Sequence, residues 1–194
     1  MDLASVVPRL LSEHPLVDAV KLTGSRATGP AHELSDWDFE VETRNFARVA
    51  EDLPRLVAPL QPLAEQWDRY APHACFMLIL RGPTKVDLLF LDEKQAWAPP
   101  WEPAPGNLDS IDRHFWDWIL WLEQKRRGGK DDVLAASLDH MHRLLLGPMG
   151  ASVPPATVSE AVASYLARRA DLEATYGIEV SRELELEVRP ALPS

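Results

Sequence analysis

Two spacings of apolar residues alternate along residues 1–96. Apolar positions three and four residues apart predict helices at 3–12 and 46–57. The second of these helices contains Pro54, which we expect to kink or end it. Strict alternation, or a short continuous apolar run, predicts the strands of this part of the chain, at 17–23, 36–42, 63–68, 74–81 and 85–91. The turn sequence Gly-Pro-Thr at 82–84 separates the last two strands, which predicts an antiparallel hairpin.

Beyond residue 107 the apolar spacing becomes helical. Apolar residues from 111 to 122 predict a first helix. Three cations at 125–127 followed by Gly128 predict its end, because cations favour the last turn of a helix and glycine the position after it. A second helix, with apolar positions from 134 to 145, is expected to be capped by Asp131 or Asp132.

A third helix is predicted by its two ends. Thr157 and Glu160 have the spacing of a capping box, in which the two side chains accept hydrogen bonds from free backbone N–H groups of the first turn. Gly177 predicts where this helix stops. The segment that follows, IEVSRELELEV at 178–188, alternates like a strand but consists of residues that also suit a helix. Its secondary structure is left open between the two.

A proline-rich segment, WAPPWEPAPG at 97–106, separates these two parts of the chain. Proline lacks a backbone N–H donor and restricts the residue before it, so neither a helix nor a central strand is expected there. We therefore predict one domain at 1–96, a linker at 97–106 and a second, helical domain at 107–194. Strands and helices mixed in the first domain, with helices alone in the second, are typical of the α+β class.

The amino-acid composition favours a folded protein and argues against some classes of function. An apolar share of 46% in 194 residues is enough for a folded core, and the net charge of −10 argues against sequence-independent binding to nucleic acid. The single cysteine, Cys75, excludes an intramolecular disulfide and lies in an apolar run where we expect it to be buried. No stretch is long enough to cross a bilayer and no targeting segment is evident, so we expect a soluble, cytoplasmic protein.

Acidic and aromatic residues alternate in the strand predicted at 36–42, whose sequence begins DWDFE. Trp37 and Phe39 are expected to face the core, which places Asp36, Asp38 and Glu40 together on the other face. Like charges about 7 Å apart repel one another unless a cation lies among them. The acidic face is therefore either solvated or the site of a metal ion.

A third aspartate, Asp87, stands alone in the apolar strand KVDLLFL. A carboxylate in such a strand is costly unless it is paired or bound to metal, and carboxylate oxygens are ligands that Mg²⁺ prefers. Two carboxylates on one strand and a third from a neighbouring strand can hold the two metal ions that phosphoryl and nucleotidyl transfer require. The alternative is an ion pair with Lys85, which shares a strand face with Asp87.

The turn LTGSRATG precedes the acidic strand. Gly24 lets the backbone approach a phosphate, and the start of a helix at Ser25 offers free N–H groups beside the Ser25 hydroxyl. Arg26 is expected to reach a phosphate or to cap the carboxylate cluster. The loop with a Gly-Pro pair at 29–30 limits the helix after Ser25 to a very short one. The P-loop motif G-x-x-x-x-G-K-[ST] is absent from the sequence, and the alternative is an ordinary turn.

Taken together, Gly24-Ser25, Asp36-x-Asp38 and Asp87 on a later apolar strand resemble the motif of nucleotidyltransferases of the DNA polymerase β superfamily. Within it the chain most resembles the antibiotic-modifying adenylyltransferases and the small nucleotidyltransferases of toxin–antitoxin pairs. The resemblance covers residues 15–92. It implies a nucleotidyltransferase fold, a mixed sheet flanked by helices, at 1–96, and a helical bundle that binds the acceptor at 107–194.

The resemblance also implies the site and its ligands. Two Mg²⁺ ions are expected on Asp36, Asp38 and Asp87, with Asp87 also accepting a proton from the attacking hydroxyl. Gly24, Ser25 and Arg26 are expected to bind the nucleotide, with ATP as co-substrate.

The implied reaction is transfer of AMP from ATP to a hydroxyl of a small molecule such as an aminoglycoside-like antibiotic. The expected partners are a nucleoside triphosphate and a small-molecule acceptor, with neither nucleic acid nor membrane. The alternative is an antitoxin-like nucleotidyltransferase that modifies or masks a partner protein. Small proteins of that kind often lack a helical extension such as 107–194, which favours the enzyme. The sequence leaves the nucleotide, the acceptor and the oligomeric state open.

Overall fold

A computed structural model describes residues 2–29 and 31–193. The chain forms two compact units, the first ending at Trp97 and the second beginning at Ala98. The first unit consists of α1 (Leu3–Leu11), β1 (Val17–Thr23), α2 (Gly24–Thr28), β2 (Trp37–Thr43), α3 (Phe46–Val57), β3 (Ala64–Trp67), β4 (His73–Leu80) and β5 (Thr84–Lys94). The second contains α4 (Leu108–Arg127), α5 (Asp131–Met141), α6 (Val158–Tyr176) and α7 (Glu183–Val188).

The five strands form one mixed sheet in the order β1-β2-β5-β4-β3. Strands β2 and β5 are parallel, whereas all other neighbours are antiparallel, including the β4–β5 hairpin predicted from its turn. A parallel pair between strands so far apart in sequence requires a long crossover, and this crossover contains α3, β3 and β4.

One face of the sheet is covered by α1 and α3. Phe39 on β2 and Leu88 on β5 are fully buried on this face, together with Val49 and Leu53 of α3. Because side chains alternate along a strand, the residues between them point to the opposite face, where Asp38 and Asp87 lie. The α+β class predicted from the sequence, a mixed sheet flanked by helices and followed by a helical unit, is confirmed.

Helix α3 continues past Pro54 to Val57, so the sequence-based alternative that proline ends this helix is wrong. Pro54 is exposed, and the two residues at the end of the helix, Leu56 and Val57, are buried in the core of the first unit. Burial of these two side chains favours the helical conformation despite the missing N–H donor.

The helix ends of the second unit follow the predicted signals with one exception. The Thr157 hydroxyl accepts a hydrogen bond from the Glu160 N–H at 3.1 Å, and Gly177 ends α6 with a φ of +66°. Helix α5 has Lys130, not Asp131 or Asp132, at its N-cap, so the predicted cap is wrong. Both aspartates lie in the first turn instead, where the positive end of the helix dipole stabilises negative charge.

The tail left open by the sequence contains the helix α7. Leu184 and Val188, four residues apart, are both buried, so the tail follows helical rather than strand periodicity. Two residues of the proline-rich segment bond within the second unit, since the Trp101 N–H donates to the Leu144 carbonyl at 2.9 Å and the Tyr176 hydroxyl to the Pro103 carbonyl at 2.8 Å.

A buried polar network joins the helices of the second unit. The Asp112 carboxylate on α4 accepts hydrogen bonds from Trp116, Tyr165 and Arg169 at 3.1, 2.6 and 3.0 Å. Arg169 also pairs with Glu185 on α7. Burial raises the pKa of Asp112, although its hydrogen-bond donors oppose this change. The network therefore holds α4, α6 and α7 together. None of the helices in the described part of the chain is long and apolar enough to span a membrane.

Candidate active site

The three predicted aspartates converge on the face of the sheet that α1 and α3 leave uncovered. Asp38 and Asp87 are neighbours in the register of the parallel strands β2 and β5, and Asp36 lies just before β2 begins. One carboxylate oxygen from each of the three lies within 4.8 Å of the others. Asp36 and Asp87 are only 6% and 8% exposed, and Asp38 is half-buried. This arrangement concentrates negative charge in a largely desolvated place.

Gly24 packs directly against this cluster. Its φ is +67°, and a Cβ atom at this position would lie 2.1 Å from Oδ2 of Asp38, closer than any real contact. The preceding residue, Thr23, is paired with Asp38 in the β1–β2 register, and its hydroxyl donates to the Asp38 carbonyl at 3.3 Å. Only glycine therefore allows the turn after β1 to lie beside the carboxylate.

The helix after this turn is as short as the sequence predicted. Helix α2 has five residues, and the Thr28 hydroxyl closes it by donating to the Gly24 carbonyl at 2.9 Å. Ser25 is partly exposed at its start, whereas Ala27 and Thr28 are exposed. Ser25 is therefore partly exposed in the turn that packs against Asp38.

Arg26 contacts the segment that leads into Asp36. Its guanidinium donates to the carbonyls of Ser35 at 2.8 Å, Glu33 at 3.0 Å and His32 at 3.3 Å. It also lies 4.3 Å from the ring centre of Trp37, a cation–π contact. Burial lowers the pKa of Arg26, while the nearby Asp36 charge acts in the opposite direction. No sequence spacing indicated these carbonyl contacts, because they depend on the path of the loop.

Lys85 forms an ion pair with Asp87, the alternative that the sequence had left open. The lysine is 6% exposed, so both partners are buried. Asp87 remains a member of the cluster despite this pairing, since one of its carboxylate oxygens lies within 4.8 Å of an oxygen of Asp36 and of Asp38. Glu40 is outside the group of three and faces Lys21 of β1 in the register.

The residues present fit a divalent cation. Oxygens bound to one Mg²⁺ lie about 3 Å apart when adjacent and about 4 Å apart when opposite, since each is about 2.1 Å from the ion. The three ligand oxygens lie within 4.8 Å of one another, close to the larger of these separations. The three carboxylates outnumber the two nearby cations, Lys85 and Arg26, so the formal charge at the site stays negative. The cluster can therefore attract Mg²⁺ or Mn²⁺ and, through it, a phosphate.

No protein-family model matches this chain. No curated protein matches it either. Among solved structures, an aminoglycoside 6-adenyltransferase from Bacillus subtilis is similar at 8% identity with a TM-score of 0.34, over 95% of this chain and 94% of that one. The polymerase core of TRAMP, an RNA surveillance complex, is similar at 14% identity with a TM-score of 0.37, over 95% of this chain and 53% of that one. At these values the similarities establish neither a family nor a substrate for this chain.

Proposed function

We propose that this chain is a divalent-metal-dependent nucleotidyltransferase that moves a nucleoside monophosphate, AMP from ATP, to a hydroxyl of a small molecule. The observation that carries the proposal is the convergence of Asp36, Asp38 and Asp87 within 4.8 Å, with the Gly24 turn in contact with Asp38. An acidic cluster beside an exposed glycine turn provides both parts that a metal-bound triphosphate needs.

In this proposal Asp36, Asp38 and Asp87 hold two Mg²⁺ ions. When bound, the ions neutralise the triphosphate and favour departure of pyrophosphate. Asp36 and Asp87 are already largely desolvated, so their carboxylates attract a cation more strongly than they would in water.

The nucleotide is proposed to bind at the Gly24 turn. Gly24 lets the backbone approach the β- and γ-phosphates, and the Ser25 hydroxyl and N–H donate to their oxygens. The prediction that Arg26 contacts a phosphate remains a prediction. Its three carbonyl contacts favour a different role, in which Arg26 holds the segment 31–35 and thereby positions Asp36.

In the proposed chemical step, Asp87 accepts one proton. The acceptor oxygen forms a bond with the α-phosphorus of the nucleotide as the bond from that phosphorus to the bridging oxygen breaks, and pyrophosphate leaves. A carboxylate oxygen of Asp87 takes the proton of the acceptor hydroxyl. Parallel pairing with β2 fixes Asp87 beside Asp38, so the proton acceptor lies next to the proposed phosphate site.

The acceptor is proposed to be a small, cationic, hydroxyl-bearing molecule of the aminoglycoside type. The net charge of −10 favours cationic ligands over anionic ones. The helical second unit is proposed to contribute acceptor binding.

The test is a panel of the four nucleoside triphosphates with Mg²⁺, assayed for pyrophosphate release against pooled aminoglycosides and against lysate protein. We expect release with ATP and the small-molecule pool. Asp36→Asn and Asp38→Asn should abolish both this release and the thermal shift caused by Mg-ATP, whereas Glu42→Gln, an exposed acid on the same strand, should retain both. Labelling of lysate protein alone would favour the protein-modifying alternative. Absence of both release and thermal shift with every nucleotide would refute the proposal.

A further inference from the structure

Lys85 is a buried cation that the chain itself places at the proposed metal site. It precedes Asp87 by two residues on β5, so the two side chains share the face opposite the buried Val86 and Leu88. The ammonium forms an ion pair with Oδ1 of Asp87. This lysine is therefore directed at a proposed metal ligand rather than at solvent.

The sheet register also places Lys85 near the start of β2, which Asp36 directly precedes. Trp37 pairs with Val86, and Asp38 pairs with Asp87. Continuing this register by one residue places Asp36 beside Lys85. Lys85 therefore contacts Asp87 and lies on the side of the cluster where the chain passes through Asp36 into β2.

Burial explains why the ion pair between Lys85 and Asp87 is stable. A buried ammonium is costly unless a carboxylate compensates it, and three close carboxylates repel one another without a cation. With only 6% of Lys85 exposed, water supplies little of this compensation. Lys85 therefore relieves the repulsion of the cluster before any metal arrives.

We propose that Lys85 occupies the place of one divalent ion in the nucleotide-free protein and competes with that ion for Asp87. The inference rests on the proposed function, because it concerns the same carboxylates. One divalent ion then binds to Asp36 and Asp38 by itself, and the second binds well only when the triphosphate contributes further oxygens and draws Asp87 away from the ammonium. Metal binding at Asp87 is thereby linked to the presence of nucleotide.

The competing explanation is a structural ion pair that only anchors β5. The two explanations predict opposite effects of removing the ammonium on metal affinity. If Lys85 competes with metal, its loss strengthens metal binding. If Lys85 only anchors the strand, its loss weakens or does not change metal binding.

The test is a Mn²⁺ titration without nucleotide, followed by the electron paramagnetic resonance signal of free Mn²⁺. We expect Lys85→Met to bind Mn²⁺ at least about tenfold more tightly than the parent and to gain a second bound ion, because a positive charge is removed from contact with a ligand. Lys85→Arg, which keeps the charge, should bind like the parent. Lys21→Met is the matched control, since Lys21 is an exposed lysine on β1 opposite Glu40. Unchanged or weaker Mn²⁺ binding by Lys85→Met would overturn the inference.

Thermal unfolding in EDTA and in Mn²⁺ provides the second readout, with Lys85→Gln as a further variant. Without metal, both neutral variants leave the cluster uncompensated and should unfold at a lower temperature than the parent. Mn²⁺ should raise their unfolding temperatures by more than it raises that of the parent. If a variant folds only with Mn²⁺ the inference is supported, and if Mn²⁺ fails to restore its fold the inference is overturned.

These results also separate this inference from the proposed function. If the parent transfers a nucleotide but Lys85→Met binds Mn²⁺ no more tightly, only the role of Lys85 is refuted. If neither the parent nor any variant binds Mn²⁺, with or without nucleotide, both proposals are refuted.

Discussion

Gly24 and Asp38 lie so close that a methyl group on Gly24 would be 2.1 Å from Oδ2 of the aspartate. The residue that begins the glycine turn and the central residue of the carboxylate cluster are thus coupled by direct packing. Any side chain at position 24 must displace the carboxylate that the proposed metal site requires.

We predict that Gly24→Ala disrupts the metal site beyond its effect on backbone strain. Adding a Cβ atom to a residue with φ near +67° lowers the free energy of unfolding by about 1 kcal/mol. At position 24 the Asp38 carboxylate must also move. We expect the Mn²⁺ affinity and the turnover of this variant to fall at least about tenfold. The measurements are Mn²⁺ titration and pyrophosphate release.

Gly82→Ala is the matched control for this substitution. Gly82 has a φ of +85° in the β4–β5 turn, and the nearest atom to an added Cβ is the Thr84 hydroxyl oxygen at 3.8 Å. Gly82→Ala should lose stability from backbone strain to a similar degree as Gly24→Ala, but it should keep the Mn²⁺ affinity of the parent. Equal Mn²⁺ affinities in the two variants would show that Gly24 is needed only for the turn.

We predict that Asp87→Asn impairs chemistry more than nucleotide binding. Asp36 and Asp38 remain to hold a metal-bound triphosphate, whereas the proton acceptor is lost, so turnover should fall by about 10²–10⁴. The variant also removes one carboxylate partner of the buried Lys85, and breaking a buried ion pair costs up to about 3–5 kcal/mol of the free energy of unfolding. Turnover must therefore be measured below the unfolding temperature of the variant, alongside Mg-ATP binding.

Two further variants sharpen this prediction. Asp87→Glu restores the charge but moves its oxygens by one methylene, so we expect little recovery of turnover. Glu40→Gln removes the acid nearest the cluster on β2 and should leave turnover unchanged. Normal turnover in Asp87→Asn with a loss in Glu40→Gln would assign the third carboxylate to Glu40.

We predict that Arg26 acts on Asp36 rather than on phosphate. The three carbonyls that it contacts need the fork of the guanidinium, which a lysine ammonium does not reproduce. Arg26→Lys and Arg26→Ala should therefore both weaken Mn²⁺ binding several-fold in the absence of nucleotide. If both variants bind Mn²⁺ like the parent but bind ATP more weakly, Arg26 contacts a phosphate and does not position Asp36.

The stability of the second unit should depend on Glu173. The Arg182 guanidinium donates to this carboxylate at 2.6 and 2.8 Å, and together with the Val180 N–H it holds the pKa of Glu173 below its usual range. A carboxylate with a lowered pKa stabilises the fold above its unfolded-state pKa, and this contribution is lost as the pH falls through its folded-state pKa.

Glu173→Gln should accordingly unfold at a lower temperature than the parent at pH 7, and the difference should shrink as the pH is lowered below the usual range of a glutamate. Thermal unfolding between pH 7 and pH 3 measures both effects. Glu102→Gln, at an exposed position, is the control and should follow the parent at every pH. A difference that stays constant with pH would mean that Glu173 contributes by packing alone.

Local patterns in the sequence determined several features directly. The alternation of Asp36 and Asp38 with Trp37 and Phe39 placed the acids on one strand face, because the side-chain period of a strand is two residues. The capping box at Thr157 and the stop at Gly177 were predicted because helix ends depend on a few adjacent residues. Such features depend only on neighbours along the chain.

Packing decided features for which the local sequence left two alternatives. The tail 178–188 was compatible with two structures until burial of Leu184 and Val188 selected a helix. Helix α3 continued past Pro54 because its last residues were buried. For α3 the area removed from water outweighed the local effect of proline, and in the tail it selected one of two conformations that the local sequence allowed.

The site itself depended on tertiary structure. Asp38 and Asp87 lie 49 positions apart in sequence and become neighbours only because β2 and β5 pair in parallel. The contact of Gly24 with Asp38 and the carbonyl contacts of Arg26 arise from the paths of two loops. Sequence periodicity specifies the face on which a side chain lies, but only the packing of the whole sheet decides which strands are neighbours and in which register.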